Sequence, residues 1–260
     1  MPTQWDASAA CWDAEAAIDE VAAAAAVPKG EAHGIFVKLP PLLQTAPVAG
    51  KVYLDLGCGY GRTLLWVLQN LHPSAAIGID VSEVMLAKAK GYATELGVNP
   101  RLMRASIDKL PLDPESVDFV YSSAVLLHLP KPVVRLALRE AVRVLRPGGV
   151  ALFESSFPGW LNADMLQTKL LTTLRRRHLR PAWVRTYRYR ELCQMLESLP
   201  VDATVEVEGY KLLPRELLGF QFGTLKPWIA RFNHQASRHL RFRELLVASW
   251  SVRLEKPPAR

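Results

Sequence analysis

The chain alternates short apolar runs with longer stretches in which apolar residues recur at helical spacing. The short runs predict buried strands, and the periodic stretches predict amphipathic helices. The predicted strands are Lys51–Leu56, Ala75–Asp80, Arg101–Ala105, Asp118–Ser123 and Val150–Ser155. The predicted helices are Tyr60–Asn70, Ser82–Leu96 with Ser82 as N-cap, and Lys131–Leu145, ended by Pro147-Gly148-Gly149. This alternation predicts a doubly wound α/β fold, with a mostly parallel sheet between two layers of helices.

The flanking segments follow the pattern less strictly. We expect an N-terminal helical cap over residues 1–49, which includes an alanine-rich helix at 4–27, and a core over residues 50–157. Residues 158–260 then complete a seven-stranded sheet, with the last strand antiparallel, and add helical insertions. The elements predicted there are helices Trp160–Arg177, Arg188–Leu199 and Leu225–Leu240 and strands Thr204–Leu212 and Leu245–Leu254. Because the connection between the last two strands is long for a compact domain, we expect it to cover a site.

Glycines alternate at positions 57, 59 and 61, directly after the first predicted strand. A turn without β-carbons allows a ligand to approach the backbone N–H groups closely. Asp80 ends the neighbouring predicted strand, where a carboxylate can accept two hydrogen bonds from a ribose diol. A dinucleotide signature would place its third glycine at position 62, which is Arg62 here, so a nicotinamide-dependent oxidoreductase is disfavoured. These features predict a different nucleotide-type ligand.

Four motifs in the expected order resemble the class I S-adenosylmethionine-dependent methyltransferases. They are Leu54-Asp-Leu-Gly-Cys-Gly-Tyr-Gly61, Gly78-Ile-Asp-Val-Ser82, Leu110-Pro-Leu-Asp-Pro-Glu-Ser-Val-Asp-Phe-Val120 and Leu145-Arg-Pro-Gly-Gly-Val150. The chain is most similar to the branch of ubiquinone/menaquinone-type and natural-product small-molecule methyltransferases, over roughly residues 50–157. The resemblance implies a Rossmann-like fold and S-adenosylmethionine as cofactor, with S-adenosylhomocysteine as product.

The resemblance also implies roles for particular residues. Asp55 and the backbone of Gly57 and Gly59 would hold the methionine part of the cofactor, Asp80 the ribose, and Val81 would pack on the adenine. We expect the same cofactor site to include Cys58, Gly61 and Ser123. Many relatives recognise the adenine amino group with an Asp near the end of the third strand. That position is Ser106 here, so Ser106, the Ile107 amide or Asp108 can make this contact.

His128, which follows the fourth predicted strand, is the candidate catalytic base. The reaction aligns a nucleophile with an activated methyl group and excludes water, so a base is needed only for a hydroxyl that must lose its proton. A structural or cofactor-edge role is the alternative interpretation of His128. Tyr60, in the glycine turn, either closes over the cofactor or packs, and Glu154 ends a strand where catalytic side chains often project.

Composition sets further expectations. The chain has 260 residues and three scattered cysteines, Cys11, Cys58 and Cys193, which show neither a disulfide framework nor metal-ligand spacing. We therefore expect no metal and a reducing compartment. The first residues lack a secretory pattern and no apolar stretch reaches membrane-spanning length, which predicts a cytoplasmic protein without a membrane span.

Charge is concentrated in the second half of the chain. Residues 158–260 contain 18 Lys and Arg against 9 Asp and Glu, within a chain of formal net charge +7. Basic residues interleave with aromatics at Arg175–Arg180 and Trp183–Arg190, as suits an anionic or carrier-linked acceptor, RNA, or a solvated surface. Tyr121-Ser-Ser-Ala-Val125 replaces the N/D-P-P-Y/F/W motif of enzymes that methylate adenine or cytosine amino groups.

The prediction is methyl transfer to an oxygen or nitrogen of a small molecule, which is natural-product-like and either anionic or carrier-linked. An RNA methyltransferase is the main alternative, although nucleic acid is not favoured. A nicotinamide-dependent oxidoreductase and a cofactor-binding partner protein without activity of its own remain as further alternatives.

Overall fold

A computed structural model of the chain describes Asp13 and residues 46–158, 185–210, 216–217, 220–221 and 247–259. Its first part contains β1 (Val52–Leu56), α1 (Arg62–Asn70), β2 (Ala75–Asp80), α2 (Glu83–Glu95), β3 (Arg101–Arg104) and β4 (Val117–Ser123). A single 3-10 turn, Leu126–His128, leads to α3 (Lys131–Val144) and β5 (Leu145–Pro158). Then follow α4 (Tyr189–Leu196), β6 (Asp202–Tyr210), β7 (Glu216–Leu217), β8 (Phe220–Gln221) and β9 (Val247–Glu255).

Seven of these strands form one sheet in the order β3-β2-β1-β4-β5-β9-β6. β1 pairs in parallel with both β2 and β4, and β2 with β3. Because the strand order reverses between β1 and β4, the carboxyl end of β1 lies at the switch point where open α/β sheets bind ligands. The predicted doubly wound, mostly parallel seven-stranded fold is confirmed. β7 and β8 form a separate antiparallel pair that the sequence did not predict.

The last strand, β9, lies next to β5 in the sheet and runs in the opposite direction. The Gly148 N–H donates to the Lys256 carbonyl at 2.8 Å, and the Lys256 N–H donates to the Gly149 carbonyl at 3.0 Å. Lys256 follows the end of β9, whereas Gly148 and Gly149 lie near the start of β5. The two strands are therefore antiparallel, as predicted for the final strand.

The core around β1 requires close contact between the sheet and α1. Helix α1 buries Leu64, Leu65 and Val67. A β-carbon on Gly78 of β2 would lie 2.6 Å from Leu64 Cδ2 and 2.9 Å from Cys58 Sγ. Position 78 therefore has room for glycine only, and this close packing fixes the start of α1 beside β2.

Two predicted boundaries are wrong. We expected Pro147-Gly148-Gly149 to end the third helix and separate it from a strand at 150–155, but α3 ends at Val144 and β5 begins at Leu145. The backbone hydrogen bonds to Lys256 pair these residues with the end of the chain, so a long-range contact overrides their turn propensity. The helix expected from Tyr60 begins two residues later, at Arg62, because Tyr60 still belongs to the glycine turn.

Contact density divides the chain into two compact units. The first comprises Met1–Ser122, Arg135–Leu152 and Leu254–Arg260, and the second comprises Ser123–Val134 and Phe153–Arg253. The helices expected at 160–177 and 225–240, most of the residues 1–49 expected as a cap, and the basic run 175–180 lie outside the described residues. Within the described part of the chain, no helix is long and apolar enough to cross a membrane.

Candidate functional site

The glycine turn after β1 presents its backbone to one edge of the sheet. Gly57, Gly59 and Gly61 all have positive φ, at 73°, 53° and 87°, which side chains with a β-carbon rarely adopt. The N–H groups of Gly57 and Cys58 both donate to the Ile79 carbonyl, at 2.7 and 3.0 Å, so the turn is tied to β2. Cys58 is a buried thiol whose pKa is raised mainly by burial, so it stays protonated and serves packing.

The glycines of the turn differ in what surrounds them. A β-carbon on Gly61 would lie 3.2 Å from Ala89 Cβ, so this glycine lets α1 approach α2. A β-carbon on Gly59 would meet nothing within 4 Å. The space beside Gly59 is therefore open, and a ligand can reach the backbone there.

Asp80, at the end of β2, forms hydrogen bonds with the glycine turn and with the start of α2. Its Oδ2 accepts a hydrogen bond from the Gly59 N–H at 2.8 Å, and its Oδ1 accepts one from the Ser82 N–H at 2.9 Å. Burial raises the pKa of this carboxyl, while the backbone donors at Ser82, Gly59 and Val81 oppose the shift. These three donors occupy three of the about four lone-pair sites of a carboxylate, so Asp80 holds the turn and can still accept from a ligand.

Asp55 lies at the centre of the site and is only 3% exposed. Burial, reinforced by the charge of Asp80, raises its pKa to about 7. Its Oδ2 is buried without a hydrogen-bond partner. Buried polar atoms are rarely left unpaired, and a buried carboxylate that lacks a cation favours its protonated form. The residue is therefore suited to a ligand that brings a positive, hydrogen-bonding group.

The stretch after β3 forms a short turn over residues 106–109, which we call the adenine turn for the role proposed below. The Lys109 N–H donates to the Ser106 carbonyl at 3.2 Å. The Ser106 hydroxyl donates to Asp108 Oδ1 and accepts from the Asp108 N–H at 3.3 Å. The Ala105 N–H donates to the Asp80 carbonyl at 3.1 Å, so the turn begins beside the end of β2.

These residues fit S-adenosylmethionine. Its methionine part carries an ammonium group that can pair with the orphaned oxygen of Asp55, and its ribose diol suits the remaining acceptor capacity of Asp80. The open backbone at Gly59, whose N–H is bonded to Asp80, leaves room for the ligand next to that carboxylate. Among the predicted cofactor residues, the first unit therefore brings together Asp55, the glycine turn, Asp80, Val81 and residues 106–108.

Comparison with known proteins agrees with this geometry. Residues 54–149 match a family model described as a methyltransferase domain. These residues form a class I S-adenosylmethionine-dependent methyltransferase domain. The matched region of this methyltransferase domain contains the glycine turn, Asp80 and the adenine turn.

The curated relatives match part of the chain. A malonyl-[acyl-carrier protein] O-methyltransferase from Marinomonas is 34% identical over 47% of this chain and 45% of its own length. A ubiquinone biosynthesis O-methyltransferase from Pseudomonas putida is 33% identical over 43% of this chain and 47% of its own length. The chain thus spans about half the length of these relatives. A crystal structure of a SAM-dependent methyltransferase from Archaeoglobus fulgidus shares the fold, with a TM-score of 0.55 and 19% identity over 83% of this chain and 91% of that one.

The second compact unit carries the other predicted residues. Ser123 ends β4, and His128 ends the 3-10 turn, where burial lowers the pKa of its imidazole. The Arg185 N–H donates to the Leu127 carbonyl at 2.8 Å, which brings the segment from 185 next to His128. Glu154 is 2% exposed within β5 rather than projecting from its end, and its carbonyl accepts from the Ala124 N–H.

Sequence reasoning did not single out Tyr187, although it lies in the aromatic and basic stretch noted above. Tyr187 is 1% exposed, and its ring contacts Phe157 edge-on at 5.1 Å between centroids. Lys131 Nζ lies 5.2 Å from the ring centroid and 2.5 Å from Glu191 Oε1. Burial raises the pKa of Tyr187 to about 12, and its hydroxyl has no hydrogen-bond partner. This hydroxyl stays protonated at neutral pH.

Asp13 is the second residue that the pattern did not indicate. Its Oδ1 accepts from the Ser82 hydroxyl and, at 3.4 Å, from the Val84 N–H. Ser82 is the N-cap of α2, with its hydroxyl accepting from the Met85 N–H at 3.1 Å, as predicted. Asp13 thereby lies beside Asp80 and contributes to the raised pKa of that carboxyl. No local signal could reveal a contact between residues so far apart in sequence.

Tyr60 packs against another aromatic ring. Its centroid lies 6.5 Å from that of Tyr92 on α2, with the rings nearly perpendicular. This contact fixes the outer side of the glycine turn, which supports the packing interpretation of Tyr60.

Proposed function

We propose that the protein transfers a methyl group from S-adenosylmethionine to an oxygen or nitrogen of a small-molecule acceptor. The observation that carries the proposal is the buried oxygen of Asp55 without a hydrogen-bond partner, two residues before a glycine turn whose backbone is open at Gly59. Among the described residues, Asp55 Oδ2 is the one buried carboxylate oxygen without a hydrogen-bond partner.

Each residue of the site then has a distinct task. Asp55 holds the ammonium group of the methionine part, and Asp80 accepts from the ribose hydroxyls while it keeps the glycine turn in place. When bound, S-adenosylmethionine supplies an electrophilic methyl group on a positively charged sulfur. The protein contributes alignment and the exclusion of water.

We assign the adenine contact to Asp108 and Ile107. The Ser106 hydroxyl proton is committed to Asp108 Oδ1, so Ser106 cannot donate it elsewhere. Asp108 Oδ2 then accepts from the adenine amino group, and the Ile107 N–H donates to a ring nitrogen. Ser106 acts as the residue that orients Asp108, and Val81 packs on the adenine face.

His128 is the proposed base for a hydroxyl acceptor. Because burial lowers its pKa, the imidazole is neutral near pH 7 and can accept a proton. The protonated Tyr187 hydroxyl offers a donor for a polar group of the acceptor. The two named relatives are O-methyltransferases, one of malonyl-[acyl-carrier protein] and one of ubiquinone biosynthesis, which suggests an oxygen acceptor, free or linked to a carrier. The basic second half of the chain suits an anionic one.

Calorimetry with S-adenosylmethionine, S-adenosylhomocysteine and NAD tests the cofactor assignment. We expect binding of the first two and none of NAD, because Arg62 replaces the glycine that a pyrophosphate cradle needs. Asp80→Asn should weaken S-adenosylhomocysteine at least about tenfold while keeping one acceptor oxygen for the turn. Asp80→Ala leaves two backbone N–H groups unpaired, so it should also lower the free energy of unfolding, by about 1–3 kcal/mol.

Transfer of radiolabelled methyl groups then separates the acceptor classes. The panel comprises phenols, carboxylic acids, acyl-carrier-protein thioesters and bulk RNA. Incorporation into one of the first three supports the proposal. Salt-sensitive binding of RNA together with labelled RNA would support the RNA alternative instead.

A further inference from the structure

We propose that Glu140 and Arg143 of α3 position the adenine turn and thereby set the selectivity of the site for adenine. The inference rests on the proposed function, because it concerns residues that contact the cofactor there. Neither residue lies in the glycine turn or at the end of a strand, and both act through backbone atoms that follow the adenine turn. We call this ion pair the clamp.

The two side chains of the clamp form a bidentate ion pair. Arg143 Nε lies 2.7 Å from Glu140 Oε1, and Arg143 Nη2 lies 2.8 Å from Glu140 Oε2. The i,i+3 spacing places both on the same side of α3, where they are about one-fifth to one-third exposed. The hydrogen bond from Arg143 lowers the pKa of Glu140, so the pair stays ionised at neutral pH.

The clamp forms hydrogen bonds with the backbone directly after the adenine turn. Glu140 Oε2 accepts from the Leu110 N–H at 2.8 Å. Arg143 Nη2 donates to the Leu110 carbonyl at 3.0 Å, and Nη1 donates to the Leu112 carbonyl at 2.9 Å. Leu110 is therefore held at both its N–H and its carbonyl by one ion pair.

Residues 106–109 are consequently fixed at both ends. Ala105 is bound to β2 through the Asp80 carbonyl, and Leu110 is bound to the clamp. Between these points the turn is stabilised by the Ser106–Asp108 contacts and by one backbone hydrogen bond. If Leu110 is released, the turn samples other conformations. The fraction of molecules whose turn can bind adenine then falls.

A purely structural role for the clamp makes a different prediction. A structural ion pair lowers stability when removed but leaves the ratio of affinities for two related ligands unchanged. A pair that positions the adenine turn alters this ratio, because only one of the ligands uses the turn. The informative ligands are S-adenosylhomocysteine and S-inosylhomocysteine, in which the 6-amino donor and the N1 acceptor of adenine are replaced by a carbonyl and an N1–H group.

The experiment measures both dissociation constants by calorimetry for the full chain and its variants. The wild type should prefer S-adenosylhomocysteine at least about tenfold. In Arg143→Met we expect the affinity for S-adenosylhomocysteine to fall about tenfold and that for S-inosylhomocysteine to change less than about twofold. Arg143→Lys should behave like Arg143→Met, because an ammonium group cannot supply the same planar fork.

Arg146→Met is the matched control. Arg146 also bonds a backbone carbonyl, that of Glu115 at 3.2 Å, and a carboxylate, Asp118 at 2.8 Å, but it contacts no residue of the adenine turn. It should leave the ligand ratio at the wild-type value. If Arg143→Met does not fold, Glu140→Met decides, since it removes both the acceptor of the Leu110 N–H and the carboxylate that orients Arg143, and the same fall in affinity for S-adenosylhomocysteine is expected.

The outcomes separate the two proposals. A wild type that binds neither S-adenosylmethionine nor S-adenosylhomocysteine overturns the proposed function. A wild type that binds S-adenosylhomocysteine without preferring it over the inosine analogue overturns the adenine turn as reader. A folded clamp variant that keeps the wild-type ratio overturns the clamp as a positioning device and leaves the proposed function intact.

Discussion

Asp55 shows how a single buried residue links stability to ligand binding. Its pKa rises from 3.8 to about 7 in the folded protein. The folded state therefore holds a proton that the unfolded state has lost between these two values. It follows that the free energy of unfolding of the ligand-free protein falls as pH rises through this window, by up to about 1.4 kcal/mol per pH unit.

We predict that Asp55→Asn removes this slope. The variant cannot ionise at position 55. The difference between the free energies of unfolding of the variant and the wild type, measured with urea, should therefore change with pH between 4 and 7 and stay constant above pH 7. The cofactor brings a cation that favours the ionised form, so wild-type affinity should rise with pH over the same window. Parallel unfolding profiles for the two proteins would contradict a raised pKa at Asp55.

His128 gives a second prediction at this scale. Its pKa is lowered from 6.5 by burial, so the neutral, proton-accepting form persists to below pH 6.5. For a hydroxyl acceptor, kcat should be constant from neutral pH upward and fall below the pKa. His128→Ala should lower kcat about 10²–10⁴-fold and leave the affinity for S-adenosylhomocysteine within about twofold. Retention of full kcat in this variant at every pH would leave His128 a structural residue.

At the scale of elements, two glycines with positive φ allow the cost of backbone strain to be measured separately from the loss of space for a ligand. Gly59 and Gly97 both have positive φ, 53° and 66°, and a β-carbon on either residue would meet no atom within 4 Å. Alanine at either position should cost about 1–2 kcal/mol of stability, because the left-handed conformation is unfavourable for residues with a β-carbon. Only Gly59→Ala should also weaken S-adenosylhomocysteine, by about tenfold or more, since its methyl group enters the proposed ligand space.

Thermal unfolding and calorimetry on the two variants check this prediction, with Gly97→Ala as the control for strain. Equal ligand affinity in both variants would show that the space beside Gly59 is not the binding space. Gly78→Ala should behave differently from both. Its β-carbon would overlap Leu64 and Cys58, so the whole core around β1 would have to shift.

The same elements explain what the sequence could predict. β2 is found at Ala75–Asp80 as predicted, and Ser82 caps α2, because local pattern and capping chemistry decide both. The start of β5 was missed because the contact that extends Pro147–Gly149 comes from Lys256, at the other end of the chain. The site followed the same rule. The glycine turn and Asp80 were visible in sequence, whereas Asp13 and the clamp depend on distant contacts.

At the scale of the whole chain, Lys256 near the C-terminus contacts the end of α3. Lys256 follows β9 and extends its side chain to the end of α3. Lys256 Nζ lies 2.8 Å from the Leu145 carbonyl, 3.4 Å from the Val142 carbonyl and 3.0 Å from Glu115 Oε1. A cation at a helix C-terminus is favourable because it complements the exposed carbonyls there. The chain end thus stabilises the helix that also carries the clamp.

We therefore predict that Lys256→Met lowers the free energy of unfolding by about 1–2 kcal/mol, because it leaves carbonyls at the end of α3 without their donor. Glu115→Gln should cost at most about 1 kcal/mol, since this carboxylate is 53% exposed and its ion pair is screened by solvent. Urea unfolding measures both, and the affinity for S-adenosylhomocysteine should stay within about twofold in each. Equal losses in the two variants would mean that the ion pair, rather than the bonds to the helix end, holds the end of the chain in place.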